Sequence, residues 1–504
     1  MSLIENFSPP PLIFGEDWTA TPIQSGLAIF FCLTILSIFT TLFYRLYLHP
    51  LANFLGRKLH VMTSLPEQWK SNVTGIWVRE MAGLHRKYGP IVRIGPNHLA
   101  LDGNIGWPQV YAHHPGKPEF SKYPNFLFPN DTISVLAAQK GDHRRQRRQL
   151  AHAFSDAALV EQEGIITQYV DLLITQLMKH AEASKSVDIV SCVNFTTFDI
   201  IGDLTFADAF GSLKDNSYHP WVLNFFKGVQ GNALSRLMDF YPLLKSLISL
   251  FIGSDSIRRH EENTQMSVEK AKARMALGEQ PVEGRRDFMT YMPKKTRDGE
   301  KGMTDIEILV NSPVLIGAGS ETTAAALSGF FFYLGHHQRV YELLAKEIRD
   351  AFADEGDITM RSSRRLEYLH ACIEETLRIY PPAAETPPRI CPGAEIDGKY
   401  VAKGNFADPD SYRPERWLPK THPLYDPMFA NDNQAVFKPF SYGARDCIGK
   451  NLAYSEMRVV ISRILYRFNF ELEPGQLNWH QEQTTFLIWN KGPLNISLKL
   501  RQKE

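Results

Sequence analysis

The sequence predicts a mainly α protein with small β-sheets, in which one large helical domain follows a single apolar N-terminal helix. Three observations predict this α+β class. An uncharged apolar stretch lies near the N-terminus, helical periodicity dominates the rest of the chain, and the β-branched runs are short. The 504 residues exceed the usual ~150 per domain, yet no linker, repeat or low-complexity segment divides them. We therefore expect one body.

The charge balance and the cysteine content argue against a nucleic-acid-binding protein, a disulfide-rich protein and a structural zinc protein. Lys+Arg and Asp+Glu balance at 55 each, so the net charge gives no indication of nucleic-acid binding. Cysteines are odd in number and widely spaced, which favours a reducing compartment over a disulfide framework. They also lack the paired spacing of a structural zinc site. The cysteines are Cys32, Cys192, Cys372, Cys391 and Cys447.

The N-terminal stretch has the length and flanks of a membrane anchor. Residues 26–44 are nearly all apolar and reach about 28 Å at ~1.5 Å per residue, enough to cross a bilayer core. Acidic residues precede them and basic residues follow, so the positive-inside rule places the C-terminal body in the cytosol. A cleaved signal peptide is the alternative, but no basic region leads the stretch. We expect a lumenal tail over 1–24, a transmembrane anchor over 25–45 and a cytosolic domain over 46–504.

One cysteine lies in surroundings typical of a metal-binding thiolate. Gly443 and Gly449 flank Cys447 and let the backbone turn tightly. The sequence that follows has the periodicity of an amphipathic helix, so Cys447 lies just ahead of a helix N-terminus. The helix dipole and the nearby Arg445 would favour a deprotonated sulfur, which suits axial ligation of haem iron. An isolated cysteine here could equally be a small buried residue.

A long central helix is predicted over residues 304–335. Thr304 and Glu307 form a capping box at its start, and Gly335 is a natural residue for its C-terminal end. Inside it, residues 318–323 read Ala-Gly-Ser-Glu-Thr-Thr, which lowers helix propensity. A threonine hydroxyl can bond back to the preceding turn and open the helix locally, leaving room for a small ligand. An imperfect buried helix is the alternative.

Two charged patterns lie on other predicted helices. His143 and Arg147, four residues apart, share one helix face, which could also be a solvated basic face. Glu375 and Arg378 share a face at i and i+3, and as an exposed pair they would contribute under ~1 kcal/mol. Glu374 could pair with Arg378 instead, so spacing alone does not choose between the two carboxylates.

These segments together resemble a known family. Phe440, Gly443, Arg445, Cys447 and Gly449 fill every fixed position of Phe-x-x-Gly-x-Arg-x-Cys-x-Gly, the haem-binding signature of the cytochrome P450 family. HRRQRRQLAHAFS, NFTTFDIIGDL, GSETTAAALSGFFFYLG and PGAEIDGKY are similar to filamentous-fungal microsomal members, including the isotrichodermin C-15 hydroxylase-like group. The resemblance covers nearly the whole chain after residue 45 and implies the cytochrome P450 fold.

The resemblance implies haem b as cofactor, with Cys447 as the axial iron ligand. Cys391 is a rival ligand that has no helix N-terminus or glycine pair beside it. His143 stands where the family usually has Trp, and both side chains can donate a hydrogen bond to a propionate. The loop over 123–139 would cover the distal pocket and contribute to substrate choice. The residues implied to hold haem are Phe440, Gly449 and, at the propionates, His143, Arg147, Arg389 and Arg445.

The same resemblance assigns roles in catalysis and in stability. Gly319 would let the central helix pass close over the haem, Thr322 would bond iron-bound dioxygen or its water, and Glu321 would feed protons inward. The family's Glu-x-x-Arg motif selects Glu375. It is completed by Arg378 and by Arg416 of the PERW segment, a network that would hold the cysteine loop.

The implied function is insertion of one oxygen atom from dioxygen into an apolar small molecule, by hydroxylation or epoxidation, in fungal secondary-metabolite biosynthesis. No Gly-rich dinucleotide fingerprint is present, so electrons would come from NADPH through a separate reductase. Arg144, Arg145 and Arg148 would form a basic patch that attracts this acidic partner. The single-pass anchor and the microsomal likeness place the protein in the endoplasmic reticulum membrane.

The sequence leaves two alternative functions open. One is a haem-thiolate isomerase or dehydratase that does not use oxygen. The other rests on Gly404, after which the chain lacks a strand and short helix that family members usually have. Their loss would remove packing near Glu375, Arg378 and Arg416, and a haem-deficient protein would result.

Overall fold

The computed structural model describes residues 21–123, 126, 131–245, 254–278, 284, 286–293, 302–393 and 405–502. Its contacts divide the chain into two units. One comprises Met1–Ser64 with Arg93–Leu99, and the other comprises Leu65–Val92 with Ala100–Glu504.

The first unit contains the apolar helix α1, Pro22–Phe43. Thr21 caps its first turn in a capping box with Gln24. The span Pro22–Leu48 is long and apolar enough to cross a membrane, and none of it is buried by protein. Among the described residues only the later helix Ile189–Phe206 passes the same test, and that helix is 94% buried in the protein core. A short helix, α2 (Lys58–Met62), follows α1.

The second unit is mostly helical. Its helices are α3 (Leu65–Trp69), α4 (Trp77–Tyr88), α5 (Gly103–Gly106), α6 (Lys140–Ala153), α7 (Asp156–Glu182), α8 (Ile189–Phe206), α9 (Ser212–Asp215), α10 (Pro220–Phe240), α11 (Ser254–Ala276), α12 (Asp305–His336), α13 (Gln338–Ala351), α14 (Glu367–Ile379) and α15 (Lys450–Arg467).

The strands are short, as predicted, and form small sheets. They are β1 (Ile91–Gly95), β2 (His98–Leu101), β3 (Ser121–Lys122), β4 (Val187–Asp188), β5 (Arg389–Ile390), β6 (Phe468–Leu472), β7 (Thr484–Thr485), β8 (Trp489–Asn490) and β9 (Asn495–Leu500). The sheet orders are β1-β2, β3-β5, β4-β9-β6 and β7-β8. In the antiparallel β3-β5 pair, Lys122 lies opposite Arg389. The mainly α class with small sheets is therefore confirmed.

The core of the second unit is built around α8 and α12, which pack against each other and are largely buried. Both helices are apolar nearly all round, which is the composition expected of a helix inside a large protein. The buried carboxylates in α8 have hydrogen-bond partners. Asp199 accepts from the backbone N–H of Leu213 at 2.8 Å, and Asp203 accepts from the Tyr169 hydroxyl at 2.9 Å. Buried carboxylates with such partners are tolerated in a core.

The ends of α12 confirm one expectation and correct another. Thr304 and Glu307 form the predicted capping box. The helix runs on through Gly335 to His336, so the prediction that Gly335 terminates it is wrong. A Cβ at Gly335 would lie 2.5 Å from the Leu472 side chain of β6. The absence of a side chain at Gly335 therefore lets the helix pack closely against this sheet. The helix ends one residue later, at His336.

The shortened segment after Gly404 falls within residues 394–404, outside the described part of the chain. Asn405 is the first described residue after this segment. Its carbonyl accepts from the Asn433 N–H at 2.7 Å, and its side-chain oxygen accepts from the Asn104 amide at 2.7 Å. These contacts tie the segment that follows the gap to α5.

Candidate active site

The loop before α15 holds Cys447 in a defined position. Gly443 has φ of 83°, and a Cβ there would collide with the Tyr111 carbonyl, so only glycine fits. The Cys447 N–H donates to the Phe440 carbonyl at 2.8 Å and closes the loop. Gly449 is the N-cap of α15. The predicted position of Cys447, just ahead of a helix N-terminus, is confirmed.

The electrostatic surroundings of Cys447 differ from the expectation. Burial raises the pKa of its thiol, and the hydrogen bond from the Gly449 N–H and the charges of Arg147 and Lys450 only partly offset this. Arg445, expected to stabilise the thiolate, instead pairs with Glu119 at 2.7 Å. The backbone N–H at the start of α15 therefore acts on the sulfur in the predicted direction, but burial outweighs it. A coordinated metal removes the proton from a thiol by its own charge.

Cys447 nevertheless faces open space. Its side chain is exposed to water although surrounding protein desolvates it, the combination expected of a group that faces an internal cavity. Among the described residues no group of three or more His, Cys, Asp or Glu side chains could hold a bare metal ion. A metal at this sulfur must therefore bring most of its own ligands, as haem iron does.

A cavity of about 330 Å³ lies beside the cysteine loop. Four residues predicted to hold the haem propionates line it, from α6, β5 and the loop: His143, Arg147, Arg389 and Arg445. The structure therefore brings together side chains that are about 300 residues apart in the chain. Arg144 and Arg148 of the predicted basic patch also line the cavity.

The two α6 residues have distinct environments. His143 is 6% exposed, and burial, followed by the charge of Arg445, lowers its pKa to about 4. It is therefore a neutral imidazole that can donate one hydrogen bond to a carboxylate. Arg147 donates to the Asp446 carbonyl at 2.6 Å and pairs with the Asp446 carboxylate, so it also connects α6 to the residue before Cys447.

Lys122 joins this cluster, and the sequence did not indicate it. It lies opposite Arg389 in the β3-β5 pair, and burial, with the charge of Arg389 next, lowers its pKa to about 7. Its ammonium donates to the Leu136 carbonyl at 2.7 Å. A lone lysine in a two-residue strand has no periodicity, so only the pairing with Arg389 could have revealed it.

The charges around Lys122 and Arg389 test whether haem fits. In the described part of the chain neither cation forms an ion pair with a carboxylate, and the Arg389 Nε is buried without a hydrogen-bond partner. Arg389 lines the cavity and Lys122 lies opposite it in the β3-β5 pair, so an anionic ligand bound there would pair with buried positive charge. The two propionates of haem supply matching charges, so the residues fit this cofactor.

The back-bond predicted in α12 is present. The Thr322 hydroxyl donates to the Ala318 carbonyl at 2.6 Å, which confirms the back-bond. Ala318 is exposed and Thr322 half-buried, whereas Ser320, Glu321 and Thr323 are buried, so Ala318 and Thr322 lie on the less covered face of the helix. The helix itself continues through the segment.

Gly319 faces a different neighbour from the one expected. A Cβ on it would lie 2.5 Å from the Ile201 side chain of α8. The glycine therefore allows close packing of α12 on α8, and Ala318 is the residue that lies on the open face.

Glu321 is 3% exposed and forms a buried ion pair with Lys491, which follows β8. Burial lowers the pKa of Lys491 to about 7. The two residues are 170 positions apart, and nothing in the sequence around Lys491 indicated the contact.

In the structure, Glu375 and not Glu374 pairs with Arg378. Glu375 accepts from the Arg378 Nε at 2.8 Å and from the Arg416 Nε at 3.1 Å, and all three side chains are at most 8% exposed. Glu374 instead accepts from the Tyr454 hydroxyl on α15. The Glu375, Arg378 and Arg416 network is complete on either side of the shortened segment.

Arg145 does not belong to a free basic patch. Its guanidinium pairs with Glu307, the capping-box residue of α12, and donates to that carboxylate at 3.0 Å. The hydrogen bonds raise the pKa of Arg145 further above its ordinary value. This arginine stabilises the contact between α6 and α12, which leaves Arg144 and Arg148 as the exposed bases of the run.

Known proteins of one family are similar in sequence to most of this chain. Residues 65–498 match the family model described as Cytochrome P450. Similar curated proteins include "Cytochrome P450 monooxygenase astJ" of Aspergillus oryzae, 37% identical, with 91% of this chain and 94% of the relative covered. The trichothecene C-15 hydroxylase of Fusarium sporotrichioides is 35% identical over 90% of this chain and 94% of its own length. The averantin hydroxylase of Dothistroma septosporum is 36% identical over 92% and 90%.

The fold agrees with the family that the sequence comparisons indicate. A crystal structure of a cytochrome P450 superposes with a TM-score of 0.67 at 21% identity, covering 84% of this chain and 98% of that one. The residues around Cys447 also fit a haem-thiolate centre. This chain therefore belongs to the cytochrome P450 family and is a monooxygenase of the oxidoreductase class.

Proposed function

We propose that this enzyme hydroxylates or epoxidises a largely apolar small molecule in fungal secondary-metabolite biosynthesis, with Cys447 as the axial ligand of haem b. The observation that carries the proposal is the exposed residue Cys447 in a loop whose Arg445 lines a cavity together with His143, Arg147 and Arg389. The relatives named as trichothecene C-15 hydroxylase and averantin hydroxylase support the reaction type.

Haem, when bound, supplies the activation of dioxygen and the transfer of one oxygen atom to the substrate. The chain's own residues hold the cofactor. Lys122, Arg389 and Arg445 balance the propionate charges, and neutral His143 and Arg147 donate hydrogen bonds there. Buried Ile201 packs against α12 behind the groove and helps to exclude water from it.

Thr322, Glu321 and Lys491 handle protons at the groove. The Thr322 hydroxyl can leave the Ala318 carbonyl and donate to a ligand on the open face of α12. Because burial lowers the pKa of Lys491 to about 7, its Nζ can release a proton to the Glu321 carboxylate near neutral pH. Glu321 then holds that proton one residue from Thr322, where the reaction consumes it.

Electron supply and location complete the proposal. Electrons reach the enzyme from NADPH through a separate, acidic reductase that docks near the exposed Arg144 and Arg148. Residues 25–45 anchor the chain in the endoplasmic reticulum membrane, with 1–24 in the lumen and the catalytic domain, 46–504, in the cytosol. The unburied apolar helix α1 supports the anchor.

The test is a carbon monoxide difference spectrum of reduced membranes that contain the protein. We expect a strongly red-shifted Soret band in the wild type, and its loss in Cys447→Ala. Cys391→Ala is the matched control, because Cys391 is also an exposed free cysteine and is the rival ligand. A band that survives Cys447→Ala, or that is lost in Cys391→Ala, contradicts the assignment.

The oxygen-dependent reaction is tested separately. With reductase added, NADPH oxidation must consume dioxygen and product must carry one oxygen atom from isotopically labelled dioxygen. Turnover that needs neither NADPH nor dioxygen would establish the isomerase or dehydratase alternative.

A further inference from the structure

A cluster of buried polar groups lies where three segments of the second unit meet. Ser71 lies in the turn after α3, Arg236 lies near the end of α10, and Glu385 lies between α14 and β5. The Ser71 side chain hydrogen-bonds the Glu385 carboxylate. Arg236 donates to the Phe126 carbonyl at 3.4 Å and stacks on the Phe126 ring at 4.6 Å. We call Ser71, Arg236 and Glu385 the polar subsite.

The polar subsite has hydrogen-bonding atoms that the protein leaves unused. Arg236 is 7% exposed, and its Nε is buried without a partner. The Oε1 of Glu385 is likewise buried and unpartnered. The two side chains influence each other electrostatically, but between these two described residues no direct ion pair forms. Unpaired buried groups of this kind cost stability and need an explanation, such as a ligand that pairs with them.

The segments that carry the polar subsite also flank the groove of α12. Phe225 of α10 lies against α12, because a Cβ at Gly317 would be 2.7 Å from its ring. Arg236 follows on the same helix, about 16 Å along the axis at ~1.5 Å per residue. Glu385 lies in the segment that pairs with Ile488 at Ala383 and that continues to Arg389 of the cationic cavity.

Glu385 can be either charged or neutral near neutral pH. Burial raises its pKa to about 7, and the charge of Arg236 only partly offsets this. At neutral pH Glu385 can therefore accept or donate a hydrogen bond. Arg236 remains a donor, because arginine stays protonated in proteins.

We propose that the polar subsite binds a hydroxylated end of the substrate, while the apolar remainder extends along α10 to the groove beside Thr322. A hydroxyl group can accept from the Arg236 Nε and donate to the Glu385 Oε1. A hydrocarbon end would leave both atoms unpaired, and a carboxylate would meet the Glu385 carboxyl. The inference rests on the proposed monooxygenase function and narrows its substrate class to neutral molecules that an earlier reaction has already oxygenated.

The test compares two probes on the haem-loaded protein: 1,2-dodecanediol and its dimethyl ether, 1,2-dimethoxydodecane. The ether keeps the acceptor oxygens and loses both hydroxyl donors. We expect the wild type to bind the diol about tenfold more tightly, the effect of roughly one hydrogen bond. Binding is measured by the haem spin-state shift and by calorimetry.

Substitutions assign the preference to the polar subsite. Glu385→Leu should reduce the diol preference to about twofold or less, because only the diol has a hydroxyl donor for the Glu385 carboxylate. Arg236→Met should weaken the binding of both probes by a similar factor, about tenfold, because both probes keep the oxygen that accepts from Arg236. Lys227→Met, an exposed position on the same helix, is the matched control and should keep the preference. Equal affinities for the two probes in the wild type, or no binding of either, overturn the inference. A diol preference that Glu385→Leu retains, or an affinity for both probes that Arg236→Met leaves unchanged, overturns it as well.

Thermal unfolding separates a ligand site from a structural cluster. If the unpaired atoms serve a ligand, Arg236→Met should melt at or above the wild-type temperature without ligand. A clear fall in melting temperature would assign Arg236 to stability and overturn the inference. The carbon monoxide spectrum keeps the two proposals apart: without the thiolate band the proposed function fails, yet calorimetry with the diol still tests the polar subsite.

Discussion

Replacement of Glu375 by glutamine tests the central structural network. The carboxylate is fully buried and accepts from Arg378, from the Arg413 N–H at 2.7 Å, from the Arg416 Nε at 3.1 Å and from the Trp417 indole at 2.9 Å. Glutamine has the same size, but it has no charge and presents an NH₂ group to several donors. Glu375→Gln therefore turns favourable contacts into donor-to-donor contacts.

The magnitude follows from the buried charges. Removing one partner of a buried ion pair costs ~3–5 kcal/mol. Arg416 is fully buried but keeps Asp432 as a second ion-pair partner. Among the described residues, Arg378 keeps its hydrogen bonds to the carbonyls of Pro409 and Ser411 and its contact with the Phe406 ring. We therefore expect the lower end, about 3 kcal/mol of lost unfolding free energy.

The assay is urea unfolding of the haem-loaded protein, compared by midpoint and slope, with the carbon monoxide spectrum as a measure of haem loading. Glu367→Gln is the matched control, since Glu367 is exposed in the first turn of the same helix. That control should stay within ~0.5 kcal/mol of the wild type. A Glu375→Gln protein as stable as the control would refute the reasoning about the network.

Three further predictions concern Glu456, Lys122 and Thr322. Burial raises the pKa of Glu456 from 4.5 to about 8, so the folded state binds more protons than the unfolded state in this range. Stability should fall by about 1.4 kcal/mol per pH unit as the pH rises through it, and unfolding of Glu456→Gln across pH 5–8 should lack this slope; an unchanged slope contradicts the assignment. Lys122→Met should release haem to apomyoglobin roughly 10- to 100-fold faster, because a charged hydrogen bond contributes ~1.5–3 kcal/mol, while unfolding of the haem-free protein shows no loss of stability. An unaltered release rate would remove Lys122 from the propionate site. Thr322→Val should divert NADPH oxidation toward hydrogen peroxide, measured by peroxide assay; unchanged coupling would mean that the hydroxyl at Thr322 handles no proton.

The sequence by itself determined the local features of this protein. The apolar stretch near the N-terminus, the capping box of Thr304 and Glu307 and the shortness of the strands are all confirmed. The turn that places Cys447 before α15 is confirmed as well. Each depends on residues within a few positions of one another, and periodicity and backbone preference act over that range.

The sequence left open, or misjudged, features that depend on distant neighbours. Spacing could not separate Glu374 from Glu375, because their partners Tyr454 and Arg416 lie 80 and 41 residues away. Gly335 fits a helix end in the sequence, but in the structure it makes room for Leu472. Local pattern does not show which element packs against a given helix face.

Only the tertiary structure decided the electrostatics of the site. Lys122 and Lys491 have no local signal, and each gains its place through a contact made by folding, with Arg389 and Glu321 respectively. The raised pKa of the Cys447 thiol likewise arises from desolvation by surrounding protein. Desolvation and ion pairing depend on what encloses a group in space, and the order of residues along the chain does not contain that information directly.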